Sequence, residues 1–325
     1  MTVTPLLWIT SLGIAGLVLL VDVAVVGRRP HVPSTRESLR YLGLYVGLAV
    51  AFGLMVWLMF GSRHAGEFYA GWLTEYSLSV DNLVVFLIIV ARFAVPRAYQ
   101  QSALLIGIIL ALVLRGAFIA AGSAVIASFS WVFYLFGAFL VYTAVQMARG
   151  AGAESEEYRP PSVLRLVQRR IRTTEEFHGV HLSVRIDGVR VVTPMLVVLV
   201  AIGFTDLLFA FDSIPAVFGL TTEPYLVLMA NVFALMGLRQ LYFLLGDLLT
   251  RVVYLNAGLS VLLGFIGVKL VLQSLHDNQL PFINGGQPVR WAPLVPVSTS
   301  LLVIVGVLVA TAVASASRAR RVRRR

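Results

Sequence analysis

Cysteine is absent from the 325 residues, which excludes disulfides, thiolate metal sites and cysteine nucleophiles together. Lysine is nearly absent: of 26 basic residues all but Lys269 are arginine. That lysine follows Val268, where a phosphate-binding loop requires glycine, so no Walker A motif exists and ATP-driven transport has no signature. Charge of either sign is scarce, at 13 % of the chain, whereas soluble proteins carry about a quarter. Hydrophobic residues make up 58 %, and the mean hydropathy is +0.87. Too few polar side chains remain to coat a water-facing surface, so the chain reads as an all-α, polytopic membrane protein.

Apolar runs long enough to cross a bilayer, about 20 residues each, fall at 6–26, 41–60, 72–95, 102–124, 127–148, 194–218, 225–245, 252–273 and 294–314. Nine spans result, with short connections except for a polar stretch at 149–193. Arginines in alternate connections divide 21 to 2, the minority being Arg63 and Arg290. Positive charge stays on the cytoplasmic side, so the N-terminus is expected outside and the C-terminus in the cytoplasm. No basic residue precedes the first run, which therefore lacks a signal-peptide start and reads as a retained helix. The net charge of +10 is thus topological. Its dispersal over separate loops, with no binding fold beside it, argues against nucleic acid as a partner.

Within the polar stretch, Val163, Leu166, Val167 and Ile171 recur at helical intervals among arginines. This predicts a basic amphipathic helix over Ser162–Phe177 lying on anionic headgroups; a docking element is the alternative. His178 and His181 can share a helix face, but no third metal ligand accompanies them. Gly43 and Gly47 form a small-xxx-small pair expected at a close helix contact.

Two segments echo each other. Glu75 is followed after five residues by Asp81-Asn82, and Asp206 after five residues by Asp212-Ser213. Arg115 is answered by Arg239, and Gln146 by Lys269, at nearly the same internal spacing. The third to fifth spans (72–148) and the sixth to eighth (194–273) therefore read as a duplication. Because the third span runs inward and the sixth outward, the copies are inverted, an arrangement common in secondary transporters that bind substrate near the midplane. The remaining divisions are 1–71, two N-terminal spans; 149–193, a cytoplasmic basic loop; and 274–325, an external loop, the ninth span and an Arg-rich tail.

An ionised side chain at mid-bilayer is unfavourable by at least ~2.5–3.5 kcal/mol, yet Asp81, Asp206 and Asp212 fall within spans, with Glu75 nearer the outer interface. Such groups need partners. One reading is a set of buried ion pairs with Arg115, Arg239 and Lys269. The other is a cation site. Six residues give about 9 Å of rise and a 120° offset, so Asp206 and Asp212 cannot chelate one ion from a regular helix. Pro215 cannot donate to the Phe211 carbonyl, and broken helices present such oxygens to cations. An inverted repeat would bring Asp81-Asn82 and Asp212-Ser213 to equivalent depths. Oxygen ligands without thiolate or intramembrane imidazole suit a hard divalent ion such as Mn²⁺, Mg²⁺ or Ca²⁺, and buried carboxylates can carry protons on the return stroke. Asn231 suits either an interhelical bond or the pathway. Asp22, beside Arg28 and Arg29, reads as interfacial. No catalytic constellation appears and no cofactor is implied, so an enzyme is not expected.

EYSLSVDN (75–82), TDLLFAFDSIPA (205–216), NVFALMGLRQLYFLL (231–245) and GFIGVKL (264–270) resemble the TerC family of bacterial membrane proteins. The resemblance implies a multi-pass inner-membrane protein serving manganese homeostasis, chiefly Mn²⁺ export. It implies functional acids at Glu75, Asp81, Asp206 and Asp212, flanked by Asn82 and Ser213. It also admits a different class, an assembly or metallation factor beside the secretion machinery that moves no ions itself. Tellurite, which gives the family its name, is an oxyanion and fits poorly with clustered carboxylates. Many members carry Glu where this chain has Gly203, which leaves any site here poorer by one carboxylate.

Overall fold

Three of the long helices start on proline, whose fixed φ and missing N–H suit the first helical position. These are α1 (Pro5–Arg28), α6 (Pro194–Phe218) and α7 (Pro224–Leu245). α2 (Thr35–Phe60) starts on a capping sequence, Ser34-Thr-Arg-Glu37, in which the Ser34 hydroxyl accepts from the Glu37 N–H at 3.2 Å. Gly61, at φ 89°, turns the chain directly into α3 (Ser62–Arg92). Pro96 then precedes α4 (Arg97–Ser128), followed by α5 (Val132–Gly150), α8 (Leu255–His276) and α9 (Val297–Arg323). The structure, a computed structural model, describes residues 3–28, 33–128, 131–150, 174, 177–186, 189–245, 254–276, 278 and 280–323. Of Asp81 and Asp212 it describes the helical backbone and not the side chain.

The nine long helices among the described residues match the nine expected spans, with displaced ends. α3 begins ten residues earlier than its apolar run, because Arg63 and His64 both bond Glu67 one turn on and carry the helix through a polar start. Eight helices are long and apolar enough to cross a membrane; α3, with its charged groups, is the exception. It lies inside the others, against α2, α6, α7 and α9. Burial grades from centre to rim: 83 % of the apolar window of α7 is buried, against 11 % for α1 and for α9. The outer faces of α1, α2 and α9 carry exposed Leu, Ile, Val and Trp side chains, the surface that lipid requires.

α4 packs on α6 and α7, α3 on α7, and α5 along α8. The α5–α8 crossing is the closest of these, since a Cβ at Gly137 or at Gly267 would sit 2.9 Å from the other's carbonyl oxygen. Gly43 and Gly47, expected at such a contact, have no atom within 4 Å of the place a Cβ would occupy. They face outward from α2, because that side of the helix has no neighbour among the described residues.

The polar stretch contains an element the periodicity reading overlooked. β1 (Ser183–Ile186) pairs antiparallel with β2 (Val189–Val192), in register Ser183 with Val192 and Ile186 with Val189. The signal was present as Asp187-Gly188 between alternating Val-Arg-Ile and Val-Arg-Val, a sequence that favours tight hairpins. The amphipathic helix expected over 162–177 falls outside the described residues save Thr174 and Phe177. His178 and His181 lie exposed in a turn closed by the His181 N–H on the His178 carbonyl, not on one helix face.

Gly267→Leu is expected to lower the melting temperature of the detergent-purified protein, with a loss of about 1–3 kcal/mol from overpacking. Gly47→Leu, facing open space, is expected to leave melting unchanged. Equal behaviour of the two in a thermal melt would contradict the α5–α8 contact.

Candidate functional site

Arg115 is fully buried at the middle of α4, and its guanidinium gathers four helices. Its Nε and Nη2 donate to the two carboxylate oxygens of Asp206 on α6, each at 3.0 Å. This is the parallel two-bond geometry that only arginine offers a carboxylate. Nη1 donates to Glu75 on α3, to the Asn231 side-chain oxygen at 3.0 Å and to the Ser213 hydroxyl at 3.3 Å. Asn231 on α7 is oriented by its own amide, which donates to the Val227 carbonyl at 3.0 Å.

Three residues on three distant stretches of sequence, Glu75, Asp206 and Asn231, thus converge on one cation, and Ser213 joins them. The two leading acids of the echoed motifs, Glu75 and Asp206, meet here through Arg115. Two carboxylates face one guanidinium, and Glu75 Oε2 is buried with no hydrogen-bond partner among the described residues. On the same two helices, α3 and α6, the hydroxyls of Ser77, Ser79 and Thr205 are buried without partners among the described residues. Buried polar atoms are nearly always satisfied, so the unmatched Glu75 oxygen leaves acceptor capacity in reserve beside Arg115.

Asp81 and Asp212 lie on α3 and α6, each six residues past the acid that binds Arg115, about 9 Å further along its helix. Their side chains lie outside the described residues. Asn82 is buried, and its amide nitrogen has no partner. Pro215 does not break α6, which continues to Phe218 before closing at Gly219. The expected discontinuity is therefore absent, because three further residues keep helical geometry after the lost Phe211 bond. Among the described residues no cluster of three or more His, Asp or Glu is arranged to hold a metal.

The other two intramembrane cations stand apart. Arg239 donates through Nη2 to Asp22 of α1 at 2.6 Å, while its Nε and Nη1 are buried and unpartnered. Asp22, read from sequence as interfacial, is buried in this pair. The physical reason is register: α1 lies against α4 and α7, which turns Asp22 inward. Lys269 is buried at the far end of α8, without an ion pair among the described residues. Sequence reasoning passed over Glu67, buried and bonded to Arg63, His64 and Thr221; the signal was its i,i+4 spacing from Arg63. A Cβ at Gly203 would lie 2.5 Å from Leu110 Cδ2, so a larger side chain there would need the Leu110 side chain on α4 to shift.

Residues 60–323 match the family described as the integral membrane protein TerC family. An uncharacterized membrane protein of Mycobacterium tuberculosis, Rv2723, is 49 % identical over 321 residues, covering 97 % of this chain and 80 % of the relative. A Myxococcus xanthus membrane protein, STKORF319, is 37 % identical over 317 residues, covering 98 % and 94 %. The Escherichia coli K12 protein named "Putative membrane-bound redox modulator Alx" is 35 % identical over 322 residues, covering 96 % and 95 %. No solved structure gives a significant match.

Arg115→Met is expected to destabilise the protein by about 3–5 kcal/mol, because it leaves two carboxylates buried without their cation. Adding Asp206→Asn is expected to recover about 1–3 kcal/mol of that loss. A double-mutant cycle on chemical denaturation reads both numbers, and strict additivity would contradict a shared ion pair.

Proposed function

The chain belongs to the TerC integral membrane protein family, and on that premise we propose that it is a secondary exporter of Mn²⁺, or a related hard divalent cation. The observation that carries this reading is the charge balance at the centre of the bundle. Glu75 and Asp206 share the single cation Arg115, Glu75 Oε2 has no donor, and Asp81 and Asp212 follow on the same two helices. A site with excess negative charge and spare oxygen acceptors attracts a hard cation. Arg115 here holds α3, α4, α6 and α7 in register, and Asp81, Asn82, Asp212 and Ser213 supply the oxygens that take the ion.

The packing supports the inverted repeat on which alternating access would rest. Exchanging α3, α4 and α5 for α6, α7 and α8 turns α3 on α7 into α6 on α4, and α3 on α8 into α6 on α5. Both members of each exchange are in contact, and α3 with α6, α4 with α7 and α5 with α8 pair corresponding helices. The offset that carries Gln146 onto Lys269 also carries Val141 onto Gly264 and Ala144 onto Gly267. The contacts obey it: Gly264 meets Ala144 and Gly267 meets Val141.

The arginine distribution favours an N-terminus outside the inner membrane and a C-terminus in the cytoplasm, so export runs towards the ends where α6 and α8 finish. Exchange for protons is the coupling that buried carboxylates suit. The name of the E. coli relative invokes redox modulation. This chain has no cysteine, so any such effect here passes through metal supply and not through its own thiols. No step of catalysis is assigned to it.

Purified protein in proteoliposomes is expected to move Mn²⁺, faster with an opposing proton gradient. Asp212→Asn and Asp81→Asn, folded and inserted, are expected to slow that flux at least about tenfold. Folded wild-type protein that moves no Mn²⁺ would overturn the transporter reading in favour of an assembly or metallation factor, and partner capture would then be the deciding measurement.

A further inference from the structure

At the end of the bundle where α3 and α9 begin, away from Arg115, lies a cavity of about 710 Å³. Ser62, Thr221, Thr222, Gln273 and Ser298 line it together with the ion pair of Arg63 and Glu67, and Phe218 and Leu301 add apolar walls. Lys269 also lines it; the residue is only 6 % exposed and makes no hydrogen bond or ion pair with any described residue. The nearest opposite charge it feels is Glu67, whose carboxylate is already engaged by Arg63 at 3.1 Å, His64 at 3.0 Å and Thr221 at 3.0 Å. A buried ammonium without a partner is strongly unfavourable, so this cavity is short of one negative charge.

Two helix starts face the same space. α3 begins at Ser62 behind Gly61, which has no side chain to cap it, and α9 begins at Val297, which also lines the cavity. Their first-turn N–H groups and partial positive charges favour an anion. At the carbonyl end of α6, the oxygens of Pro215 and Val217 are already taken by the N–H groups of Gly219, Leu220 and Thr221, which reduces the acceptors it turns towards an anion.

We propose that this cavity binds a phosphate-class anion, with Lys269 as its counter-ion, the α3 and α9 N-termini as backbone donors and Gln273 with Thr222 and Ser298 as side-chain donors. The polar floor and apolar walls suit either free phosphate or the phosphate of a lipid headgroup entering from the membrane edge. The anion neutralises Lys269 and ties α3, α8 and α9 together at that end of the bundle. The site is independent of the divalent cation proposed above, and its test contains none.

Full-length protein in nanodiscs of phosphatidylcholine alone is titrated with labelled inorganic phosphate at constant ionic strength. In a second arm, nanodiscs containing phosphatidylglycerol are used, and lipid retained on the released protein is read by native mass spectrometry. Binding in either arm is expected to weaken about tenfold or more in Lys269→Met, which removes a charged donor, and several-fold in Gln273→Leu, while Lys269→Arg retains it. Because Lys269→Met removes an unpaired buried charge, it is expected to melt no lower than wild type. Phosphate binding with this pattern identifies a free oxyanion as the ligand, and phosphatidylglycerol retention alone identifies a headgroup. Absence of both, or binding indifferent to Lys269 and Gln273, overturns the proposal.

Discussion

A single guanidinium in an environment without water sets the terms for the centre of this protein. Arg115 cannot lose its proton, and in hydrocarbon it must find acceptors for all of its donors. It finds them on α3, α6 and α7, through Glu75, Asp206, Ser213 and Asn231. Each of those residues would be unfavourable at that depth alone, and each is tolerated because the others are present. α7, which carries Asn231, has the most enclosed apolar window, while α1 and α9, which contribute nothing to the knot, lie at the lipid-facing rim.

The same interaction divides the acids by role. Glu75 and Asp206 are committed to Arg115, whereas Asp81 and Asp212 follow them by the same six-residue step on the same helices. A carboxylate held by a buried guanidinium is not free to regroup around another cation, so under the proposed function that task falls to Asp81 and Asp212. The asymmetry between Arg115 and Arg239 points the same way. The first cation binds acids from both motifs, and its counterpart turns to Asp22 on α1, leaving two of its donors unused.

Periodicity and charge made the membrane architecture legible in advance, because a lipid solvent leaves few alternatives to long apolar helices. They failed where polar residues form structure for local reasons. The start of α3 was cut short because Arg63, His64 and Glu67 lower the hydropathy of a segment that their own contacts keep helical. The β1–β2 hairpin was overlooked because its strands are short and lie in a charged loop. Gly43 and Gly47 had the spacing of a packing motif and no partner to pack on among the described residues.

The sequence by itself determined the solvent this protein lives in, the number of its long helices and which charged residues needed an explanation. These follow from composition and spacing along one chain, where the penalty for a misplaced charge is large enough to be read residue by residue. Which acid meets which cation was decided only by tertiary structure. Asp206 pairs with Arg115, Asp22 with Arg239, and Lys269 with no described residue, because those pairings depend on how helices separated by up to 217 residues are rotated against one another. Rotation is fixed by small contacts such as Gly203 on Leu110 and Gly137 on Gly267, and no pattern within a single helix encodes them.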